Sequence, residues 1–177
     1  MKLLLLIAFL LTVSFADDDK RYGNYGKSTK KGVAPVNNTL YLKECGSCHF
    51  AYQPGLLPEN AWTKMMNNLE NHFDTDASLA QEDFVSLSNY LNANSAEKNM
   101  HYKRSSRIVN SLRGRPIPDS ISLTPYMIEK HKDIRPSLIT QEEVKGIFNC
   151  KACHTTADRG IYSDNDILIP NFGRWED

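Results

Sequence analysis

The chain has no excess of either charge sign: Lys and Arg total 21, and Asp and Glu total 21. Without a basic field there is little to hold a phosphate backbone, so nucleic-acid binding is not expected. Long apolar runs are scarce as well. The run from Leu3 to Val13 is too short to span a bilayer comfortably. Apolar residues make up 41% of 177 residues, a modest share for one domain or two small ones. No βαβ pattern occurs, which removes the usual setting of a thioredoxin-like dithiol. Cysteine is limited to four residues, all in two short stretches.

Those stretches are Cys45-Gly-Ser-Cys48-His49 and Cys150-Lys-Ala-Cys153-His154. Each reads C-x-x-C-H, the attachment signature of c-type haem. The spacing has a chemical reason. Two thiols about one helical turn apart can add across the two vinyl groups of one haem, and the adjacent His then lies under the iron as an axial ligand. Zinc would account for four thiolates, but not for a His directly after each second Cys. Two covalently attached haem c are therefore expected, with Cys45, Cys48, Cys150 and Cys153 as the attachment points. Two buried haems would also supply apolar surface that the side chains lack.

Residues 1–16 read as a secretory signal peptide. Lys2 is the basic start, Leu3 to Val13 the apolar core, and Ser14-Phe15-Ala16 the small-residue cleavage site. Export suits the cysteines, because haem attachment of this kind takes place outside the bacterial cytoplasm. The expected location is the periplasm. Residues 17–38, with Asp17-Asp18-Asp19 and little apolar periodicity, read as a flexible N-terminal arm.

From Asn38 the pattern turns helical. Leu40 and Leu42 fit a first helix running into the first motif, and Pro54 and Pro58 punctuate a loop after it. Trp62, Met65, Met66, Leu69, His72 and Phe73 then fall at helical spacing on one stripe. A third helix is expected from about Leu79 to Asn92, with Phe84, Leu87 and Leu91 on one face. Haem helix, distal His and closing helix is the order of a small monohaem cytochrome c. Residues 39–100 are therefore read as a cytochrome-c-like haem domain.

Residues 93–122 read as a connector. Lys103, Arg104, Arg107, Arg113 and Arg115 crowd together there with no acid among them. Three roles fit this run: a solvated linker, partners for haem propionates, or a docking patch for an acidic redox partner. Thr124-Pro125 starts a helix, with Met127, Ile128, His131 and Ile134 spaced along one face. Thr140 and Glu143 form a capping box for a further helix, which buries Val144, Ile147 and Phe148 and runs into the second motif. The tail from Ile161 to Pro170 is expected to wrap the second haem's edge. Residues 101–177 thus form a smaller helical haem region with an extended tail, and the fold class is all-α.

Two irons need four axial ligands, and the chain has five His. His49 and His154 belong to the motifs. His72 and His131 lie on apolar helical stripes, where an iron in the same core makes them candidate sixth ligands. Met65 and Met66 read as packing residues, and Met100 and His101 follow the closing helix without a stripe of their own. The 23 residues after His154 contain no His or Met, so the second distal ligand comes from upstream. The expected sets are His49 with His72 and His154 with His131; the swapped arrangement is not excluded by sequence. Bis-His ligation fills both axial positions and lowers the potential relative to Met/His ligation. It suits one-electron transfer rather than catalysis.

The text around the first motif is more specific than the motif alone. Glu44 through Pro58, then Trp62, Met65-Met66, Leu69 and His72-Phe73, resembles the small bacterial dihaem cytochrome c family. Ile121-Ser-Leu-Thr-Pro-Tyr126, His131, Cys150–His154, Gly160 and Ile167–Pro170 extend the resemblance, which covers roughly residues 40–171. It implies a cytochrome-c-like N-terminal half, a less usual C-terminal haem region and bis-His ligation at both haems. It also implies redox partners: an oxygen-binding monohaem cytochrome c, the sphaeroides haem protein, and a membrane cytochrome b as electron source. Gln53 departs from the family's pattern, where Pro is expected. The rival reading is a dihaem enzyme of the peroxidase type, or a haem sensor, with one displaceable axial ligand. The chain is short for a two-domain peroxidase, has enough His to close both sites, and carries no output domain.

Overall fold

The computed structural model describes residues 30–175. The expected signal peptide, and residues 17–29 of the expected arm, lie outside the described residues. Helices dominate, as expected: α1 (Thr39–Glu44), α2 (Glu59–Met66), α3 (Gln81–Ala93), α4 (Lys103–Ser111), α5 (Pro125–His131), α6 (Pro136–Thr140) and α7 (Cys150–Cys153). Short 3-10 turns join them. Strand β1 (Leu168–Ile169) pairs antiparallel with β2 (Gly173–Arg174) near the C-terminus. No helix among the described residues is long and apolar enough to cross a membrane.

Local sequence sets several of these ends. Asn38 caps α1 by accepting a hydrogen bond from the Tyr41 amide at 2.9 Å. Thr124 caps α5 in the same way, with Pro125 in the first turn, where a missing N–H costs nothing. Along α3, Leu87 and Leu91 repeat at four residues and are both buried.

Other expectations fail for local reasons. Helix α2 stops at Met66, short of His72. Leu69–Asn71 form a 3-10 turn, and residues 72–75 close a hairpin. The His72 amide donates to the Thr75 carbonyl at 2.8 Å, and the Thr75 amide returns the bond at 3.1 Å. Phe73 (φ 50°) and Asp74 (φ 64°) both sit in the left-handed region, the signature of a type I′ turn. The helix expected from Thr140 is absent, because α6 ends there and Lys145 (φ 63°) and Gly146 (φ 143°) leave helical geometry. Val144 is still buried, but Ile147 and Phe148 are exposed. Within the expected connector, α4 is a packed helix with Ser105 and Ile108 fully buried.

The described part of the expected arm also packs inward. Val33 is fully buried, and the amides of Gly32 and Val33 donate to the Gly160 carbonyl at 2.7 and 3.2 Å. On the other side the Arg104 amide donates to the Gly32 carbonyl at 2.9 Å. One apolar cluster runs from Val33 through Leu56, Trp62, Leu87 and Ile108 to Tyr162. Chain segments far apart in sequence therefore share a single core.

Gly160 marks the tightest point of this junction. It has φ 71°, and a Cβ there would run into the Val33 carbonyl oxygen. Gly160→Ala combines an unfavourable backbone conformation with a backbone clash. It is expected to cost about 2 kcal/mol or more, read as a lowered denaturation midpoint; an unchanged midpoint would contradict this packing.

Candidate functional site

Each motif His faces one other His across a short gap. The ring centres of His49 and His72 are 6.1 Å apart, with planes 25° from parallel. Those of His131 and His154 are 6.2 Å apart, with planes at 84°. Two imidazoles sharing one metal through bonds of about 2.0–2.1 Å have ring centres about 6 Å apart. The elements that deliver these rings differ. His49 follows the 3-10 turn at Cys45–Ser47, and His72 opens the tight turn beyond α2. His131 ends α5, while His154 follows α7 and bridges to Ile167 in the tail.

The protonation chemistry suits metal ligation. His49 Nδ1 donates to the Phe50 carbonyl at 2.8 Å, and His131 Nδ1 donates to the Met127 carbonyl at 2.8 Å. Each bond fixes the tautomer and leaves Nε2 with its lone pair. Burial lowers the pKa of His72 and His131 and pulls His154 down to about 4, so the neutral, ligating forms persist. His154 Nδ1 is buried without a hydrogen-bond partner.

No disulfide joins Cys45, Cys48, Cys150 and Cys153. Burial pushes the Cys45 and Cys150 thiols up to about 11 and raises Cys153 as well. Redox dithiols and thiolate metal sites work through lowered thiol pKa values, the opposite direction. Large apolar side chains stand exposed around the second motif and the two partner His: Phe73 next to His72, Ile128 one turn before His131, Phe148 two residues before Cys150, and Leu168 beside Ile167, which bridges to His154. Exposed apolar surface of this kind marks a place where something binds. His49, Gly46, Phe50, Asn149, Lys151 and Asp158 line a cavity of about 530 Å³, so the two motifs open onto one cleft. The donor sets, the facing imidazoles and the apolar rims all fit two haems.

Two other sequence candidates stay outside the pairs. The His101 ring lies 4.3 Å from Tyr102 and is exposed, and Met100 is exposed too.

The sequence pattern of the Dihaem cytochrome c family matches residues 41–162. The chain belongs to the dihaem cytochrome c family. It carries two covalently attached haem c and is an electron-transport protein. The fold agrees with solved members. A diheme cytochrome type c from Shewanella baltica is 32% identical, with a TM-score of 0.65 over 78% of this chain and 98% of that one. A diheme cytochrome c from Rhodobacter sphaeroides is 35% identical, with a TM-score of 0.63 over 73% of this chain and all of its own. No curated protein sequence matches the chain.

Three residues of this dihaem cytochrome join the two motifs and were not singled out as site residues from sequence. The Tyr52 ring lies 5.1 Å from His49, and its hydroxyl donates to the Phe148 carbonyl at 2.5 Å. Gln53 is fully buried; its Nε2 donates to the Ala157 carbonyl at 2.5 Å, and its Oε1 accepts from the Tyr162 hydroxyl at 2.6 Å. The Tyr162 ring in turn meets His154 edge-on at 5.3 Å. Gln53 was visible only as a departure from the expected Pro. A Pro has no side-chain amide to make these bonds. Gln53→Ala leaves two buried groups unpaired and is expected to cost about 2–3 kcal/mol. Chemical denaturation of the holoprotein checks this, and a loss under 0.5 kcal/mol would show that water satisfies both groups.

Proposed function

We propose that this dihaem cytochrome is a periplasmic one-electron carrier with no substrate of its own, in which both irons are bis-His and low-spin. The ligand sets proposed are His49 with His72 and His154 with His131. The observation that carries the reading is the pair of ring separations, 6.1 and 6.2 Å, each between a motif His and a His from another element. When bound, each haem supplies an Fe(III)/Fe(II) couple.

The chain's own contribution is positional. Backbone carbonyls hold two of the four rings in the ligating tautomer. The tight turn at 72–75 and the end of α5 bring the partner rings. Filling all four axial positions closes both irons to exogenous ligands, which favours a carrier over a peroxidase or sensor. A cleaved signal peptide at residues 1–16 and the haem attachment chemistry support the periplasm. The partners proposed are other redox proteins, an oxygen-binding monohaem cytochrome c and a membrane cytochrome b, on the family resemblance alone.

The ring angles make the test specific. Near-parallel imidazoles split the two iron orbitals that their π systems meet; perpendicular imidazoles leave them nearly degenerate. The oxidised holoprotein should therefore show two distinct low-spin EPR signals, an ordinary rhombic one and a strongly anisotropic one. High-spin iron or a Met-to-iron near-infrared band would overturn the bis-His reading. Replacing one ligand separates the sites. His72→Ala should remove the rhombic signal, His131→Ala the anisotropic one, and each reduced variant should bind carbon monoxide promptly where the parent does not. If either substitution leaves both signals in place, that residue is not a ligand.

A further inference from the structure

We infer that Arg104 binds a propionate of the haem attached at Cys150 and Cys153 and holds the potential of that haem up. The inference rests on the proposed ligation of that haem by His131 and His154.

Arg104 lies in the first turn of α4, in the basic run that sequence left with three possible roles. Its Nη1 donates to the Tyr126 hydroxyl at 2.9 Å, and Tyr126 stands on α5, the helix that ends in His131. Its guanidinium carbon is 5.3 Å from the centre of the Tyr162 ring, which packs against His154. One cation is thus held between the two elements that bear the second His pair. Gly32 leaves room for it: a Cβ at Gly32 would approach Arg104 Nε to 3.0 Å.

Arg104 Nε is buried and donates to nothing. Among the described residues no carboxylate pairs with this guanidinium. A cation held partly out of water without an anion is costly. With Nη1 engaged by Tyr126 and Nε unused, the planar guanidinium still matches a carboxylate in both charge and shape. Two carboxylates arrive with each haem as its propionates. The other cations of the run are placed differently. Lys103 and Arg107 are exposed on α4, and Arg113 and Arg115 line a separate cavity with Pro116 and Ile117. The basic run therefore divides, and Arg104 is the member turned toward the second site.

A fixed positive charge beside an iron favours the reduced state, which carries one positive charge fewer. Arg104→Met in the holoprotein should shift the reduction equilibrium of one haem about tenfold toward the oxidised form, a midpoint about 59 mV lower. EPR-monitored redox titration reads the two haems separately, and the shift should fall on the strongly anisotropic signal. Arg104→Lys, which keeps the charge, should shift it less than threefold, and Arg107→Gln, on the exposed side, no more than that. If Arg104→Met does not load two haems, Arg104→Gln serves as the neutral variant.

The readings separate cleanly. An unmoved potential in the neutral variant, with both low-spin signals intact, overturns the role of Arg104 and leaves the ligands standing. A shift of the rhombic signal instead overturns the placement beside the second haem. Loss of bis-His character at that haem in the parent protein overturns the ligand reading first, before any variant is made.

Discussion

The fold's central constraint is that a C-x-x-C-H motif fixes only one side of each haem. Under the proposed bis-His ligation, the second axial nitrogen comes from elsewhere in the chain, on a ring whose centre stops about 6 Å from that of the first. Much of the architecture is legible as two separate solutions to that problem. At the first site a 3-10 turn and a type I′ turn carry the rings. Phe73 and Asp74 adopt positive φ at the turn, a conformation that non-glycine residues hold only when their surroundings demand it. At the second site the C-terminal end of α5 carries His131, whose Nδ1 bond to Met127 stays within the helix. A four-residue helix and a tail bridge then hold His154.

The two solutions are not independent. Val33 packs against Gly160, Tyr52 reaches from His49 to Phe148, and Gln53 ties Ala157 and Tyr162 to the first motif's loop. These contacts span about a hundred residues of sequence but very little space. Electron transfer depends steeply on distance, so a carrier with two centres gains from a junction that does not breathe. Buried hydrogen bonds serve that purpose better than apolar contacts, because a small displacement leaves donors or acceptors unpaired and is resisted accordingly.

What sequence could reveal follows from range. The motifs, the Thr124-Pro125 cap and the Leu87/Leu91 face are local signals, and all appear where the residues place them. His72 and His131, whose rings lie opposite His49 and His154, are selected by an apolar stripe and a ligand count without reference to their three-dimensional path. The path itself was illegible. His72 keeps helical spacing with Met65 and Leu69 although α2 has already ended, since a 3-10 turn preserves much of that periodicity. The Thr140/Glu143 box looks like a helix start, but Gly146 and its neighbour take the chain out of helical space. Gly32 and Val33 looked like arm because their partners, Gly160 and Arg104, are remote. Long-range pairing of that kind leaves no periodic trace.

The same remoteness makes the two sites chemically unequal. His49 is exposed, whereas His154 is deep enough for burial to pull its pKa to about 4. The second pair also has a guanidinium near it, held against the Tyr162 ring and the Tyr126 hydroxyl. Burial and a nearby positive charge act in the same direction on an iron that gains an electron: both disfavour the more positive oxidised state. The propionate that Arg104 is inferred to hold would offset part of its charge while fixing its position. Near-parallel rings in one pair and perpendicular rings in the other add a difference in orbital energies. If both irons carry the proposed bis-His sets, environment alone has to set the direction of internal electron flow, and each of these influences separates the two potentials rather than equalising them. A chain that needed only storage could have repeated one site; this one builds two that differ in depth, charge and ring geometry around one shared core.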